Sequence, residues 1–211
     1  MNLPNKLTLL RLALVPVFLV FTVQDNVWTR IFALVIFIAA GVTDIYDGHL
    51  ARKYGVITDF GKFMDPLADK FLISAALISF VGMRELYVPA WMVILIIGRE
   101  FLITGLRVLA ASKGEVIAAD RAGKFKTSSQ ITAIIAILLV LCANSVLGHF
   151  FGTSPEDLLY SGGWASAAGY ALVWSPYWLV FATTILTLVS GISYLYRHRS
   201  VFADDVGLGG S

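Results

Sequence analysis

Long apolar runs, separated by short polar segments, are the feature that most constrains how this chain can fold. Several of these runs approach or exceed the roughly 18 apolar residues that indicate a helix crossing the hydrocarbon core of a bilayer. Backbone groups in lipid must pair with one another, so such runs form helices. The mean hydropathy is +0.79 and only 14% of the residues are charged, which excludes an ordinary soluble domain. The sequence therefore predicts an all-α, polytopic membrane protein.

Six such runs predict a bundle of six transmembrane helices. The predicted helices cover about residues 7–23, 30–53, 59–82, 88–110, 125–149 and 169–196. An N-terminal segment before the first helix is predicted to lie along the membrane interface. We expect one membrane domain over residues 1–200 and a flexible, glycine-rich tail over 201–211. In the loop before the last helix, Ser154 followed by Pro155 predicts a helix cap and a first helical position.

Positive charge is distributed unequally between the two sides of this predicted bundle. When the loops are assigned alternately, one side receives 14 of the 16 Lys and Arg residues, and the other receives only Arg30 and Arg84. Because Lys and Arg accumulate on the cytoplasmic side, we expect both termini and the stretch Thr43–Lys70 to face the cytoplasm from the cytoplasmic (inner) membrane. The single cysteine, Cys142, excludes an intrachain disulfide and a cysteine metal site. No nucleic-acid partner is expected.

The stretch TDIYDGHLARKYGVITDFGKFMDPLADK places five aspartates among the otherwise apolar helices. Asp44 and Asp47 are three residues apart, and Asp65 and Asp69 are four apart, so each pair shares one face of a helix. The two pairs lie on consecutive predicted helices joined by a short turn, so a hairpin can bring the four carboxylates together. Carboxylates are costly in a membrane and are ligands suited to Mg²⁺ and Mn²⁺. The cluster therefore predicts a divalent-cation site that handles phosphate.

Small and basic residues accompany the aspartates on the same helices. Gly48, Ala51 and Gly61 leave the backbone open to the close approach of a ligand, and Arg52 offers a planar fork suited to phosphate oxygens. The alternative is that the aspartates only pair with neighbouring cations at the level of the lipid headgroups. That alternative suits Asp59, which lies in the turn, as a cap or surface charge. It suits the other four less well, because two same-face pairs on adjacent helices are hard to obtain by chance.

These residues carry a resemblance to a known family. At their observed spacing, the residues that resemble the complete signature of the CDP-alcohol phosphotransferase family are Asp44, Asp47, Gly48, Ala51, Arg52, Gly61, Asp65 and Asp69. The resemblance implies a six-span homodimer that transfers a phosphatidyl or related group from a CDP-linked donor to an alcohol and releases CMP. It implies two bound ions, Mg²⁺ or Mn²⁺, held by Asp44, Asp47 and Asp65, with Asp69 nearby or bridging. Asp69 is also the implied general base, and the implied contacts to the CDP part are Gly48, Ala51, Arg52 and Thr58.

A second polar stretch, GREFLITGLRVLAASKGEVIAADRAGKFKTSSQ, predicts the acceptor site. Arg99 and Arg107 are eight residues apart, which places them on roughly one face of a helix. Lys124 and Lys126 open the next helix from the same side. Such a cationic cluster fits an anionic acceptor such as a sugar phosphate or a glycerol phosphate. The alternatives are positive-inside anchoring for the lysines and, for Arg99, an ion pair with Glu100 or with an aspartate.

Three segments, NLPNKLTLLRLALVP, GREFLITGLR and GKFKT, resemble the branch of the family that uses sn-glycerol 3-phosphate. By that resemblance the donor is CDP-diacylglycerol, the products are phosphatidylglycerophosphate and CMP, and Asn5, Thr8 and Arg11 contribute to the donor site. Membrane lipids are expected around the chain. Two alternatives stay open. One is a sister enzyme whose acceptor is inositol phosphate, serine or phosphatidylglycerol, and the other is a cation transporter that uses the aspartates as an ion path.

Overall fold

The computed structural model of the chain describes the backbone of residues 3–54, 59–112 and 121–197, and side chains within residues 7–43, 68, 70–111 and 125–197. The α-helices in these ranges are α1 Leu3–Thr22, α2 Val27–Tyr54, α3 Asp59–Gly82, α4 Ala90–Ser112, α5 Arg121–Val146, α6 Pro155–Leu159 and α7 Gly163–Arg197. A 3₁₀ turn, Arg84–Leu86, precedes α4, and a π-helical turn, Leu147–Phe151, extends α5. The described ranges contain no strand, so the predicted all-α class is confirmed.

The observed helices follow the predicted ones closely, and the starts of α1 and α7 show why some boundaries differ. The segment predicted to lie along the interface forms the first part of α1, a single helix that begins at Leu3, and its position relative to the membrane stays a prediction. Pro4 lies in its first turn, where an N–H group would have had no helical partner, so the proline does not interrupt the helix. α7 begins at Gly163, six residues before the predicted start. The alanines that follow Gly163 favour helix and extend α7 beyond its most apolar part.

Two helical stretches of the described chain are long and apolar enough to cross a membrane, Phe125–Phe151 and Gly163–Arg197. Shorter apolar stretches are Leu7–Thr22, Val27–Thr43 and Lys70–Gly82. Large apolar side chains also face outward, among them Val20, Ile94 and Ile192, which are 56%, 67% and 68% exposed. An apolar outer surface of this kind suits lipid better than water. The count of six spans stays a prediction.

The buried core lies between the helices and is mainly apolar. Phe80, Met92, Ile96, Ile134 and Leu138 are each at most 1% exposed. They come from α3, α4 and α5, which form the centre of the bundle. α1 packs against α2 and α3 on one side of this centre, and α7 packs against α4 and α5 on the other. The polar side chains of the interior are concentrated toward the two ends of the bundle, where two cavities lie.

α1 and α2 run antiparallel, and their aromatic contacts show which residues lie at the same level. The ring centroids of Phe18 and Phe37 are 5.7 Å apart, and those of Phe21 and Phe32 are 5.9 Å apart. Both helices rise by about 1.5 Å per residue, so the same register brings Arg11 level with about residue 43. The start of α1, the end of α2 and the start of α3 therefore lie at one end of the bundle. We call it the aspartate end.

The short helix α6 lies at the opposite end and begins as the sequence predicts. The Ser154 hydroxyl accepts a hydrogen bond from the Asp157 N–H at 3.2 Å, and the Asp157 carboxylate accepts one from the Ser154 N–H at 2.8 Å. This reciprocal pair is a capping box, with Pro155 at the first helical position. Hydrogen bonds from the Ser154 backbone and side chain hold the pKa of Asp157 below its usual value. The predicted cap at Ser154 is confirmed.

Candidate active site

The four aspartates of the predicted metal site belong to two consecutive helices at the aspartate end. Asp44 and Asp47 are in α2, and Asp65 and Asp69 are in α3. Other predicted site residues whose side chains, like those of the aspartates, lie outside the described part of the chain are Asn5, Gly48, Ala51, Arg52, Thr58, Gly61 and Lys124. Among the described side chains, no group of three or more His, Cys, Asp or Glu residues could hold a metal ion. The aspartate cluster therefore stays a prediction, on helices that keep each pair on one face.

The backbone of α3 leads from the aspartates to a cavity between α3, α4 and α5. Residues spaced four apart lie on nearly the same face of an α-helix. In α3 one such series is Asp65, Asp69, Ile73 and Leu77. Ile73 and Leu77 line the cavity, which has a volume of about 530 Å³. Asp69 thus lies one helical turn, about 5.4 Å along the axis, before a residue of the cavity wall.

Cationic side chains dominate the polar lining of this cavity. The described lining residues include Lys70, Arg99, Arg107 and Lys126, and Glu100 is the one carboxylate among them. We call it the cationic cavity. Three of the four residues predicted to bind the acceptor phosphate, Arg99, Arg107 and Lys126, therefore lie around one space. Clusters of this kind attract anions, and the attraction is strongest where water is excluded.

Polar contacts across the cationic cavity tie the three helices together. The ammonium group of Lys126, a residue only 3% exposed, contacts the Glu100 carboxylate. The ammonium group of Lys70 donates to the Thr104 hydroxyl, which in turn donates to the Glu100 carbonyl at 2.8 Å. Glu100 therefore pairs with Lys126 rather than with Arg99, the partner considered from the sequence. Adjacent residues on a helix point in different directions and do not face each other, which explains this choice.

α7 contacts both arginines of the cationic cavity, Arg99 and Arg107. Nη2 of Arg99 donates to Oγ of Ser190 at 2.7 Å, and Cζ of Arg107 lies 5.3 Å from the ring centroid of Tyr194. A methyl group at Gly191 would lie 3.0 Å from Cγ and 3.1 Å from Nε of Arg99. The absence of a side chain at position 191 thus lets Arg99 pack closely along α7. These contacts fix the arginines, so less conformational entropy is lost when an anion binds.

Several buried N–H groups around the cationic cavity have no hydrogen-bond partner within the described part of the chain. They are Nε of Arg99, Nε of Arg107 and Nε2 of Gln130. Gln130 is only 2% exposed, and leaving such a donor unpaired costs about 1–3 kcal/mol. These three groups are donors, whereas Oε1 of Glu100, which also lacks a hydrogen bond, contacts the ammonium group of Lys126. Cations outnumber carboxylates among the described lining residues. The cavity is therefore suited to a ligand that carries several anionic oxygens, such as a phosphate.

The residues predicted from α1 lie at the same end of the bundle. Thr8 and Arg11 are 1% and 2% exposed, and Arg11 is level with about residue 43 of α2 by the helix register. Burying a guanidinium group costs free energy unless polar or anionic groups pair with it. The part of Thr8 and Arg11 in donor binding stays a prediction.

Sequence reasoning missed several residues that shape the cavity. The residues that it did not assign to the acceptor site are Lys70, Thr104, Gln130, Ser190, Gly191 and Tyr194. Ser190, Gly191 and Tyr194 share one face of an otherwise apolar helix, and small or polar residues on one such face often mark helix contacts in membranes. That pattern was available in the sequence. Their contact with Arg99 and Arg107 was not, because the two segments are about 90 residues apart.

The comparison with protein families agrees with this arrangement of helices and residues. The family model described as CDP-alcohol phosphatidyltransferase matches residues 1–189. The chain belongs to the CDP-alcohol phosphatidyltransferase family. The resemblance inferred from the aspartate signature is thereby confirmed. This family membership accounts for most of the chain, from the start of α1 to within α7.

Curated relatives of this family member carry names that state an activity. A protein of Bacillus subtilis (strain 168), "CDP-diacylglycerol--glycerol-3-phosphate 3-phosphatidyltransferase", is 49% identical over 150 residues, which are 65% of this chain and 77% of the relative. A Rickettsia typhi (strain ATCC VR-144 / Wilmington) protein of the same name is 30% identical over 201 residues, 95% of this chain and 99% of the relative. A Mycobacterium tuberculosis (strain CDC 1551 / Oshkosh) protein, "Probable phosphatidylglycerophosphate synthase", is 46% identical over 143 residues, 66% of this chain and 67% of the relative.

Proposed function

We propose that the chain transfers the phosphatidyl group of CDP-diacylglycerol to a hydroxyl group of sn-glycerol 3-phosphate, as a step of phospholipid biosynthesis. The hydroxyl oxygen forms a bond to the phosphatidyl phosphorus, and the bond from that phosphorus to the CMP oxygen breaks. The hydroxyl proton goes to the Asp69 carboxylate, and CMP leaves with the bonding electron pair. The products are phosphatidylglycerophosphate and CMP. Family membership and the names of the relatives support this reaction.

The observation that carries the choice of acceptor is the cationic cavity beside Asp69. In α3 its lining includes Lys70, the residue after Asp69, and Ile73, one helical turn later, so a phosphate held there leaves the rest of a small acceptor within reach of the aspartates. The unpaired N–H groups of Arg99, Arg107 and Gln130 provide donors for phosphate oxygens. An uncharged acceptor would leave these donors and the surrounding positive charge uncompensated. The cavity therefore favours a phosphorylated alcohol over serine.

The aspartates supply a donor set that fits divalent cations. Carboxylate oxygens are the hard ligands that Mg²⁺ and Mn²⁺ prefer, and the described side chains offer no competing His or Cys cluster. Asp44, Asp47 and Asp65 would hold two such ions with Asp69 nearby or bridging. When bound, the ions neutralise the diphosphate of the donor and the charge on the departing CMP. Gly48, Ala51, Arg52, Thr58 and Gly61, with Asn5, Thr8 and Arg11 of α1, would contact the donor.

Placement in the membrane follows from the charge distribution. We place the aspartate end and both termini on the cytoplasmic side of the cytoplasmic membrane, because 14 of the 16 Lys and Arg residues fall on that side of a six-span arrangement. Lipid tails of the donor could then stay in the bilayer while its nucleotide reaches water. A single membrane domain over residues 1–200 and a homodimer complete the proposal. The homodimer is supported by the family resemblance alone.

An acceptor panel tests the proposal. The full-length protein, purified in detergent, is mixed with CDP-diacylglycerol and Mg²⁺ or Mn²⁺, and CMP release is measured with sn-glycerol 3-phosphate, inositol phosphate, serine or phosphatidylglycerol. We expect metal-dependent CMP release with sn-glycerol 3-phosphate and the appearance of phosphatidylglycerophosphate. Release with inositol phosphate but not with sn-glycerol 3-phosphate would overturn the acceptor. Metal-dependent release with none of the four would overturn the reaction.

A further inference from the structure

A second polar cavity lies at the end of the bundle opposite the aspartates. Its volume is about 530 Å³, and residues that line it include Asp25, Arg30, Glu85, Asn144, Ser145 and Glu156. They come from the turn before α2, the start of α2, the 3₁₀ turn, the end of α5 and the start of α6. Arg30 precedes Asp44 by fourteen residues of the continuous helix α2, a distance of about 21 Å along the axis. This space, which we call the Asn144 cavity, is therefore separate from the candidate active site.

The positive charge in the Asn144 cavity is already neutralised. Arg30 is 5% exposed, and its Nη2 lies 2.5 Å from Oε1 of Glu85 and 3.2 Å from Oδ1 of Asp25. Its Nη1 donates to the Leu141 carbonyl at 3.2 Å. Among the lining residues that the structure describes, Arg30 is the one Lys or Arg, against the four carboxylates of Asp25, Glu85, Glu156 and Asp157. With His149 counted as neutral, the lining is therefore acidic.

Two buried side chains in the wall have oxygen atoms without hydrogen-bond partners in the described part of the chain. They are Oδ1 of Asn144 and Oγ of Ser145, and each residue is only 8% exposed. Buried polar atoms are almost always paired with protein, ordered water or a ligand, so two adjacent exceptions require an explanation. The π-helical turn Leu147–Phe151 directly follows them. Such turns occur frequently at functional sites, where they interrupt the regular helix geometry.

The charges and hydrogen-bonding groups of this wall favour some classes of ligand over others. Its excess of carboxylates repels an anion. A divalent cation would need several strong ligands, and the described side chains contain no group of three or more His, Cys, Asp or Glu that could hold one. A primary ammonium group carries one positive charge and three N–H donors. It can donate to Asn144 Oδ1 and Ser145 Oγ and still face a carboxylate of the lining.

We propose that the Asn144 cavity binds a primary ammonium group. The group can come from the headgroup of an aminated lipid or from a free amine in solution, and both present the same donors. The proposal does not depend on the reaction assigned to the aspartate end. It explains why the bundle keeps Asn144 and Ser145 buried with unpaired oxygens at a position where apolar residues would pack without that cost.

Binding to the full-length protein in detergent tests this proposal. The thermal unfolding midpoint is measured against increasing ethanolamine, with tetramethylammonium, which has no N–H donor, as the matched probe. We expect ethanolamine to raise the midpoint by mass action and tetramethylammonium to leave it unchanged. The variants Asn144→Leu and Ser145→Ala should each weaken ethanolamine binding at least tenfold. Ser79→Ala is the control, because Ser79 is buried to a similar degree, at 7% exposure, but its hydroxyl already donates to Ala76.

A lipid arm separates the two sources of the ammonium group. Wild-type protein is released from nanodiscs of mixed phosphatidylethanolamine and phosphatidylcholine, and its retained lipids are counted by native mass spectrometry. Selective retention of phosphatidylethanolamine, lost in Asn144→Leu, identifies a lipid headgroup. A response to ethanolamine without lipid selectivity identifies a free amine. Equal responses to both soluble probes, or no response to either together with no lipid selectivity, would overturn the proposal. The comparison of probes uses wild-type protein, so it holds even if a variant fails to fold.

Discussion

The two polar cavities of the bundle are similar in volume, about 530 Å³ each, and opposite in chemistry. Among the described residues, the cationic cavity leaves N–H donors of Arg99, Arg107 and Gln130 unpaired, whereas the Asn144 cavity leaves oxygens of Asn144 and Ser145 unpaired beside Nε of Arg30. α5 contributes to both, with Gln130 near its start and Asn144 near its end. Only the cationic cavity adjoins the aspartate-bearing part of α3. The proposed catalytic chemistry lies at the aspartate end alone, so changes at the two ends should affect different measurements.

The largest expected effect comes from removing the proposed base at the aspartate end. Asp69→Asn should lower turnover about 100-fold to 10,000-fold, because general base catalysis contributes roughly that factor. Binding of CDP-diacylglycerol should largely survive. CMP release and donor binding are measured on the same preparation, with Asp157→Asn at the opposite end as the control that keeps its turnover. Normal turnover in Asp69→Asn would show that another group takes the proton.

A smaller effect is expected from the cationic cavity itself. Arg99→Gln removes a positive charge and should raise the KM for sn-glycerol 3-phosphate about 10-fold to 100-fold, since hydrogen bonds between charged groups contribute about 1.5–3 kcal/mol. The KM for CDP-diacylglycerol should change little. The exposed Arg84, at the opposite end, provides the matched control Arg84→Gln. Equal KM values for the acceptor in both variants would remove the cavity from acceptor binding.

At the Asn144 end the expected effect is on stability. Glu85→Gln leaves the buried guanidinium of Arg30 without its closest carboxylate, and should lower the free energy of unfolding by about 1–3 kcal/mol. Asp25 and the Leu141 carbonyl remain as partners, which limits the loss. Thermal unfolding in detergent and the KM for sn-glycerol 3-phosphate are measured together. A rise in KM without a fall in stability would mean that the two ends are not independent.

The smallest expected effect concerns the fit of α7 against Arg99. Gly191→Ala brings a methyl group within 3.0 Å of Cγ of Arg99, so the side chain must shift by a few tenths of an ångström. We expect the KM for sn-glycerol 3-phosphate to rise about 3-fold to 10-fold, in line with a loss near 1 kcal/mol. Gly82→Ala is the control, because an added methyl group there meets nothing within 4 Å. Unchanged KM values in Gly191→Ala would show that Arg99 adapts freely.

Much of the fold could be predicted because membrane spans are local patterns. The run that predicted a helix over 59–82 agrees with α3, and the Ser154 cap is encoded within four residues. The first helix was predicted to begin at residue 7, because the polar segment before it was assigned to the membrane interface, whereas α1 begins at Leu3 and tolerates Pro4 in its first turn. The spans of α5 and α7 pass the length and hydropathy required for crossing a membrane. These two helices alone do not establish the predicted total of six membrane spans.

The candidate site also has a part that the sequence predicted and a part that it did not. Arg99, Arg107 and Lys126 were predicted from charge and spacing within adjacent segments, and they line one cavity. Ser190 and Tyr194, which hold the arginines, come from a helix far along the chain, and no local pattern indicates such a contact. Glu100 shows the same limit, since its sequence neighbour Arg99 was considered as the partner and Lys126 is the residue it contacts. The aspartates rest on spacing and family membership, because their side chains lie outside the described residues.

The central claim is that the cationic cavity binds the phosphate of the acceptor beside the aspartates. Its most direct test is the ratio of kcat/KM for sn-glycerol 3-phosphate to that for glycerol, measured in wild-type protein and in Arg107→Gln. We expect a wild-type ratio of at least about 100, because several charge-assisted hydrogen bonds are involved, and a fall of about tenfold or more in Arg107→Gln. The ratio should not change in Arg84→Gln. The same ratio in wild type and in Arg107→Gln would contradict the claim.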